Sequence, residues 1–280
     1  SDIKNEKGSL QFVLSGDNSY GLDKSIVNGI RRTLINDIPT VAFHEDTDIT
    51  MITNDSVLHN EMFIHRISLV PLYIDPETWK KQYFFECKII HDNKTPYQFI
   101  TTNDIQIYSL TDDISNKVKD YENLTDIQEN DSSLYELLIT NSPENYNLSK
   151  PLSQKEKDII FRPFIFNEIK NYILLNELKH THTQDTQQSI HFYGSPSCMT
   201  GDINARYSSV SQASYSFLKD ETMIEQVLKD KLSLNKISQE EKETYTRKFM
   251  LSESDRYFYR DNFHEANKYL WKLKSTHYFD

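Results

Sequence analysis

The sequence predicts an α+β fold, and three observations carry that prediction. Residues 22–38 read as one amphipathic helix: Leu22, Ile26, Ile30 and Leu34 fall four apart with Val27 alongside, while Asp23, Lys24 and Arg31 point away. Strand patterns recur elsewhere, as in the run YFFECKIIH at 83–91 and in Tyr269, Trp271 and Leu273, which alternate with polar residues. With 280 residues, 37% of them hydrophobic, the chain can bury one or two sizeable cores.

Taken in order, residues 10–14 form a short apolar strand, and the cluster at 15–19 (SGDNS) turns the chain into the helix. Pro39 ends that helix, because Ile38 before it is pushed toward extended geometry. Gly29 inside the helix costs about 1 kcal/mol against alanine unless another backbone comes close, so a packed helix is expected. Residues 41–53 outline a strand pair linked by His44, Glu45, Asp46 and Asp48. Asn54, Asp55 or Ser56 can cap a second helix carrying Val57, Leu58, Met62 and Ile64. Strands follow at 83–91 and at 98–108, the second broken by the polar stretch 101–104. Residues 111–157 are rich in Asp, Asn, Ser and Glu and read as a polar loop or extension with a short helical turn or strand at 134–139. Strands are expected at 161–166 and 172–178, helices at 223–232 and 238–249, the latter with a Ser238/Glu241 capping box. A final strand is expected around Tyr269, Trp271 and Leu273.

Composition excludes several classes of function. A formal charge of −11 argues against a protein that holds nucleic acid by its own field, which needs a clustered excess of Lys and Arg. No apolar run approaches the roughly 18 residues of a membrane span, and the chain opens at Ser1 without a basic-then-apolar leader, as a processed or trimmed terminus does. Cys87 and Cys198 are too far apart in sequence to give a disulfide framework or a metal spacing, and a reducing compartment is the simpler expectation.

The spacing of the histidines gives the metal readings little support. His59 and His65 are six apart, about 240° around a helix, and cannot converge on one ion with Glu61. Glu61 and His65, four apart, can pair locally. His180, His182 and His191 lie in a Thr/Gln-rich segment without a carboxylate or thiol at a suitable spacing, and read as solvated loop.

Four short runs, in this order and with these gaps, carry a family resemblance. Asn28-Gly29-Ile30-Arg31-Arg32-Thr33-Leu34, Ile38-Pro39-Thr40-Val41-Ala42, Asn54-Asp55-Ser56-Val57-Leu58, and Glu61 with His65-Arg66-Ile67-Ser68-Leu69-Val70-Pro71-Leu72 resemble the alpha motif of multisubunit RNA polymerases. That family includes the third-largest subunit of eukaryotic polymerase II, the archaeal D subunit, the shared subunit of polymerases I and III and the bacterial alpha N-terminal domain. The match covers residues 9–72; a second, weaker one runs from Gly201 through Ala205, Arg206 and Tyr207 to Val210, with Ser209 where the family usually has Pro.

The resemblance implies a discontinuous dimerisation domain, residues 1–45 and 200–280 with a helical insertion at about 221–250, interrupted by a mainly β insert domain at 46–199. It implies a non-catalytic assembly platform, since nucleotidyl transfer needs a carboxylate-bound magnesium pair on the largest subunit. A smaller alpha-like subunit would pack on Leu22, Ile26, Val27, Ile30 and Leu34, which an isolated reading would give to an ordinary core helix. The second-largest subunit would dock on Asn28, Arg31, Arg32, Glu61, Arg66 and Arg206. Adjacent arginines sit about 100° apart on a helix, so at most one of Arg31 and Arg32 flanks the apolar stripe; a solvated basic face is the plainer alternative. Other polymerase subunits are expected as neighbours, direct nucleic-acid or membrane binding is not, and no cofactor is expected, because Cys87 alone cannot complete the cysteine cluster of some relatives. The family also has a helix after the last strand, where this sequence ends at residue 280. The missing cysteines, the helical insertion and the plentiful Asn, Lys, Ile and Tyr favour a large DNA virus over a nuclear enzyme, which would place the protein in the virion and host cytoplasm, and in the nucleus otherwise. Two readings from other classes stand beside this one: a metal-dependent hydrolase using the scattered histidines, and an interaction adaptor outside transcription.

Overall fold

The computed structural model describes residues 4–6, 9–16, 22–140, 142–181, 187–234, 238–259 and 268–275. Residues 17–19 of the expected turn and His182 lie outside them. The elements begin with β1 (Lys4–Glu6), β2 (Ser9–Ser15), α1 (Lys24–Asn36), β3 (Thr40–Ala42), β4 (Ile49–Asn54), α2 (Asn60–Ser68), β5 (Tyr83–Ile90), β6 (Tyr97–Thr101) and β7 (Gln106–Leu110). There follow α3 (Asp112–Val118), α4 (Leu124–Asn130), α5 (Ser132–Ile139), β8 (Tyr146–Pro151), α6 (Gln154–Ile160), β9 (Phe164–Phe166), β10 (Ile169–Asn171), β11 (Leu174–Lys179), β12 (Ser189–Gly194) and β13 (Ser197–Met199). The last are β14 (Val210–Phe217), α7 (Glu221–Leu234), α8 (Gln239–Ser252) and β15 (Lys268–Ser275). Two compact units result, one made of Ser1–Asp37 with Ser209–Asp280 and the other of Ile38–Ser208. The sequence drew its boundaries at 45 and 200; pairing of β3 with β13 keeps residues 40–42 and 197–199 together in the second unit.

The first unit is an antiparallel sheet of order β1-β2-β15-β14 with α1 packed on it. Alternation along β15 buries Tyr269 and Trp271 on one face and leaves Lys272 exposed. Trp271 lies opposite Phe12 on β2 and Tyr215 on β14, so three aromatic rings line up across three strands; Phe12 stacks on the indole at 5.8 Å. Val27 joins this cluster with Leu22 and Leu34. Asp23 caps α1 by accepting from the Ser25 amide at 2.6 Å, and the helix stops at Asn36, three residues before Pro39. In α7 and α8 Ile224 and Phe249 are buried, while Met223, Leu234, Met250 and Leu251 are exposed. Ser238 is the N-cap of α8, but its hydroxyl donates to the Glu241 carboxylate and makes no bond to the helix backbone, so the expected capping box is not formed.

The second unit is built on an antiparallel sheet of order β4-β12-β5-β7-β8. Alternation divides its side chains into two cores. Phe85, Cys87, Ile107, Ile190 and Phe192 face one, together with Phe63 and Ile67 of α2; Phe84, Tyr108, Leu110 and Tyr193 face the other. That other core corrects the reading of 111–157 as a polar loop: α3, α4 and α5 cover it with Val118, Ile127, Leu134 and Leu138, all buried, and only α5 falls where a short helical turn was expected, at 134–139. Their apolar residues are few and the segments short, so no helical period shows above the polar background. Asn123 and Asp131 nevertheless cap α4 and α5, accepting from the amides of Asp126 at 2.9 Å and Leu134 at 3.0 Å. The unit thus carries α2 to α6 beside its strands.

Two smaller expectations also change. β3 and β4 do not pair with each other, because β3 joins β13 and β4 joins β12. The stretch 161–178 is not two strands but three: the hairpin β9-β10 precedes β11, which pairs with β6. Gly194 at the end of β12 is required by close approach, since a Cβ there would lie 2.1 Å from the Asp48 carbonyl oxygen.

Candidate functional site

The residues singled out from the sequence divide between the two units. Asn28, Arg31, Arg32 and the apolar residues Ile26, Val27, Ile30 and Leu34 of α1, with Leu22 just before it, lie in the first; Glu61, Arg66 and Arg206 lie in the second. On α1 the single expected stripe resolves into two rows. Val27 is fully covered by its own unit, with Leu22 and Leu34 half-buried in the same cluster, whereas Ile26 and Ile30 are 56% and 39% exposed. Ile26 and Ile30, one turn apart, form a row at the rim of the packed face. Gly29 beside them is exposed, and a Cβ there would meet nothing within 4 Å. The expectation that a neighbouring backbone requires this glycine is thus not met among the described residues.

Arg31 and Arg32 separate as the 100° rule demands. Arg31 is half-buried and its Nε donates to Asn28 Oδ1 at 3.0 Å, which holds the guanidinium along the helix; Arg32 is exposed. Two cationic groups therefore leave α1 in different directions.

In the second unit the organising group is Glu45, which the sequence offered only as a loop residue. Its Oε2 receives Arg206 at 3.0 Å and His65 Nδ1 at 3.1 Å. The Arg206 hydrogen bond, followed by that of His65, holds the Glu45 carboxyl below the usual glutamate range. Arg206 also donates to the Phe43 carbonyl at 3.2 Å, and its side chain is 4% exposed. This arginine is committed to its own unit. The adjacent Tyr207 is buried and hydrogen-bonded to Ser197, whose hydroxyl donates to Asp48. No spacing in the sequence could tie position 45 to position 206.

Along α2, Glu61 and Arg66 are exposed, and Arg66 donates to the Leu174 carbonyl at 2.8 Å. Glu61 borders a depression of 570 Å³ with Asn54, Ser56 and His59. His65 turns to Glu45 and not to Glu61. Capping also differs from expectation: His59 is the N-cap without a side-chain bond, while Asn54, Asp55 and Ser56 lock the preceding loop. Asn54 Nδ2 donates to the Leu58 carbonyl at 2.8 Å, Asp55 accepts from Ser189, and Ser56 accepts from Asn176 at 2.7 Å. Asn176 is a member of this site that the sequence did not reveal.

Metal and nucleophile chemistry has little support in these side chains. Among the described residues no three His, Cys, Asp or Glu are grouped to hold a metal ion. His191 is engaged with Glu86 at 3.0 Å. Burial pushes the Cys87 thiol up to about 12 and Cys198 to about 11, so neither is a thiolate near neutral pH.

No family model matches the chain. It is similar to the DNA-directed RNA polymerases I and III subunit rpac1 of Dictyostelium discoideum, 33% identical over 79 residues, 26% of this chain and 22% of that protein. It is also similar to DNA-directed RNA polymerase subunit Rpo3 of Methanosarcina mazei, 37% identical over 81 residues, 29% of this chain and 27% of that one. Over these stretches the chain resembles alpha-like subunits of RNA polymerases. The shared RPAC1 subunit of polymerases I and III from Saccharomyces cerevisiae is 42% identical over 60 residues, 21% of this chain and 17% of that protein. The matches thus span between 17% and 27% of these three relatives. This likeness to alpha-like subunits does not favour the hydrolase or adaptor readings.

Proposed function

We propose that this protein is a non-catalytic assembly subunit of a DNA-directed RNA polymerase, joining a smaller alpha-like subunit and docking the second-largest one. The observation that carries the reading is the pair Ile26 and Ile30, left exposed on a helix whose other face is committed to its own sheet. Apolar side chains at the rim of a packed helix gain most when a second polypeptide covers them, and buried central contacts supply most of an interface's binding energy. Arg32, Arg31 with Asn28, and Arg66 with Glu61 provide polar contacts to the second-largest subunit, guanidinium being suited to bidentate pairing with carboxylates. Arg206 acts behind them by fixing Glu45.

Affinity purification of the full chain followed by native mass spectrometry tests the proposal. Ile26→Asp with Ile30→Asp should release the smaller alpha-like subunit while circular dichroism stays unchanged, because both side chains lie outside the buried cores. Arg31→Ala with Arg32→Ala should remove the second-largest subunit. An intact heterodimer in the first variant, or full recovery of the large subunit in the second, rejects the assignment.

A further inference from the structure

Along β11 the chain breaks its own alternation. Its pairing with β6 sets Leu174 opposite Thr101 and Asn176 opposite Ile100, a bulge that holds one extra residue. Leu175 and Asn176, neighbours in sequence, are both buried, 1% and 5% exposed, where a regular strand would send one of them to the other face. A buried amide costs stability unless its hydrogen bonds are made. Asn176 makes them: Oδ1 accepts from the Glu177 amide at 2.9 Å and Nδ2 donates to Ser56 Oγ at 2.7 Å.

From Ser56 the bonds continue outward. The Ser56 hydroxyl donates to Asn54 Oδ1 at 2.5 Å, and Asn54 Nδ2 donates to Asn60 Oδ1 at 2.9 Å in the first turn of α2. Each member of such a series polarises the next, so the series acts as a unit. At the same bulge the Leu174 carbonyl accepts from Arg66 at 2.8 Å. Asn54, Ser56 and Asn60, which line the depression beside Glu61, thus take their places from a side chain that does not line it.

We infer that Asn176 is a positioning residue of the docking surface: through Ser56 and Asn54 it fixes the loop 54–59 and the first turn of α2 in the shape that the second-largest subunit meets. The inference rests on the assembly function proposed above and adds to it a residue that is itself covered.

The other anchors of the loop do not duplicate this one. Asp55 accepts from Ser189 on β12 and fixes the start of the loop. Asn54 Nδ2 also donates to the Leu58 carbonyl at 2.8 Å, a bond made within the loop itself. Among the described residues only Asn176 reaches Ser56 from a distant part of the chain, next to Val57, which is 61% exposed. Without that bond the loop samples other shapes, and re-ordering it on contact with a partner lowers affinity.

The test uses the full chain with the subunits that accompany it on affinity purification, read by native mass spectrometry. Asn176→Ala and Ser56→Ala should each lower recovery of the second-largest subunit about tenfold. The double variant should lower it no further, because both substitutions cut the same series of bonds. Ser56→Thr keeps the hydroxyl and should recover the subunit as wild type does. Recovery of the smaller alpha-like subunit, assigned to α1 in the other unit, should not change, and hydrogen exchange should quicken at the amides of 56–61 while β5 and β12 stay protected. Equal loss of both subunits with a lower melting temperature in Asn176→Ala would make the residue merely structural, and the proposal fails. Ser56→Ala alters a half-buried loop position and tests the same link should Asn176→Ala not fold; wild-type recovery of the second-largest subunit in that variant overturns the proposal. Either result leaves the assembly function standing, because wild type still brings down both subunits. If wild type brings down neither, the assembly function fails and takes the positioning role with it.

Discussion

Glu45 and Gly194 show how much of the second unit depends on single atoms. Replacing Gly194 by Ala puts a methyl group 2.1 Å from the Asp48 carbonyl oxygen, which the β12–β4 pairing holds in place beside it. Backbone must move, at a cost of about 1–3 kcal/mol or more, and a chemical-denaturation midpoint should fall accordingly. Glu45 acts through charge. Its folded-state pKa is depressed by Arg206 first and His65 second, so its contribution is present above the unfolded glutamate pKa and lost as pH falls through the lower folded value. Glu45→Gln should therefore reduce stability at pH 7 by no more than about 1 kcal/mol, because the carboxylate is 36% exposed and partly screened. The gap between variant and wild type should close below the usual glutamate range; a gap independent of pH would show that the ion pair is not its source.

The elements differ in how openly their sequences declare them, and the reason is length against background. α1 spans 13 residues with a cap, an apolar rim and a proline beyond its end, and its pattern stands out. β15 alternates apolar with polar residues, whereas β5 and β7 carry adjacent buried residues, Phe84 with Phe85 and Ile107 with Tyr108, because their two faces meet two cores. By contrast α3, α4 and α5 have 7, 7 and 8 residues, about two turns each, and the two shorter ones bury one apolar residue apiece. Their capping residues, Asn123 and Asp131, look in sequence like the loop chemistry around them. A contact within one element, such as that of Arg31 with Asn28, lies among residues the sequence singled out, whereas contacts that join distant positions, such as Glu45 with Arg206 or Ser56 with Asn176, leave no signal in it. Leu138→Ala tests this covering layer directly. Leu138 is fully buried under the sheet, and its truncation should cost about 2–5 kcal/mol in urea unfolding. A change within about 0.5 kcal/mol, the usual effect of a surface substitution, would return residues 111–157 to solvated decoration.

For the molecule as a whole, charge and function bear on each other. A subunit of an enzyme that works on DNA would bind nucleic acid by itself only if its cations were gathered into a field. Here 31 Lys and Arg face 42 Asp and Glu, and several cations, among them Lys170, Lys231 and Arg206, are spent on carboxylates of their own chain. Binding driven by counterion release weakens as salt rises, with a slope set by the number of phosphates neutralised. The isolated chain should therefore show no retention of duplex DNA by fluorescence anisotropy at about 0.15 M salt, and Arg31→Ala with Arg32→Ala should leave that baseline unchanged. The same double substitution is expected to strip the second-largest subunit from the assembled enzyme. Loss of DNA affinity in the isolated variant would instead make those two guanidinium groups phosphate ligands, and their place at a protein interface would have to be abandoned.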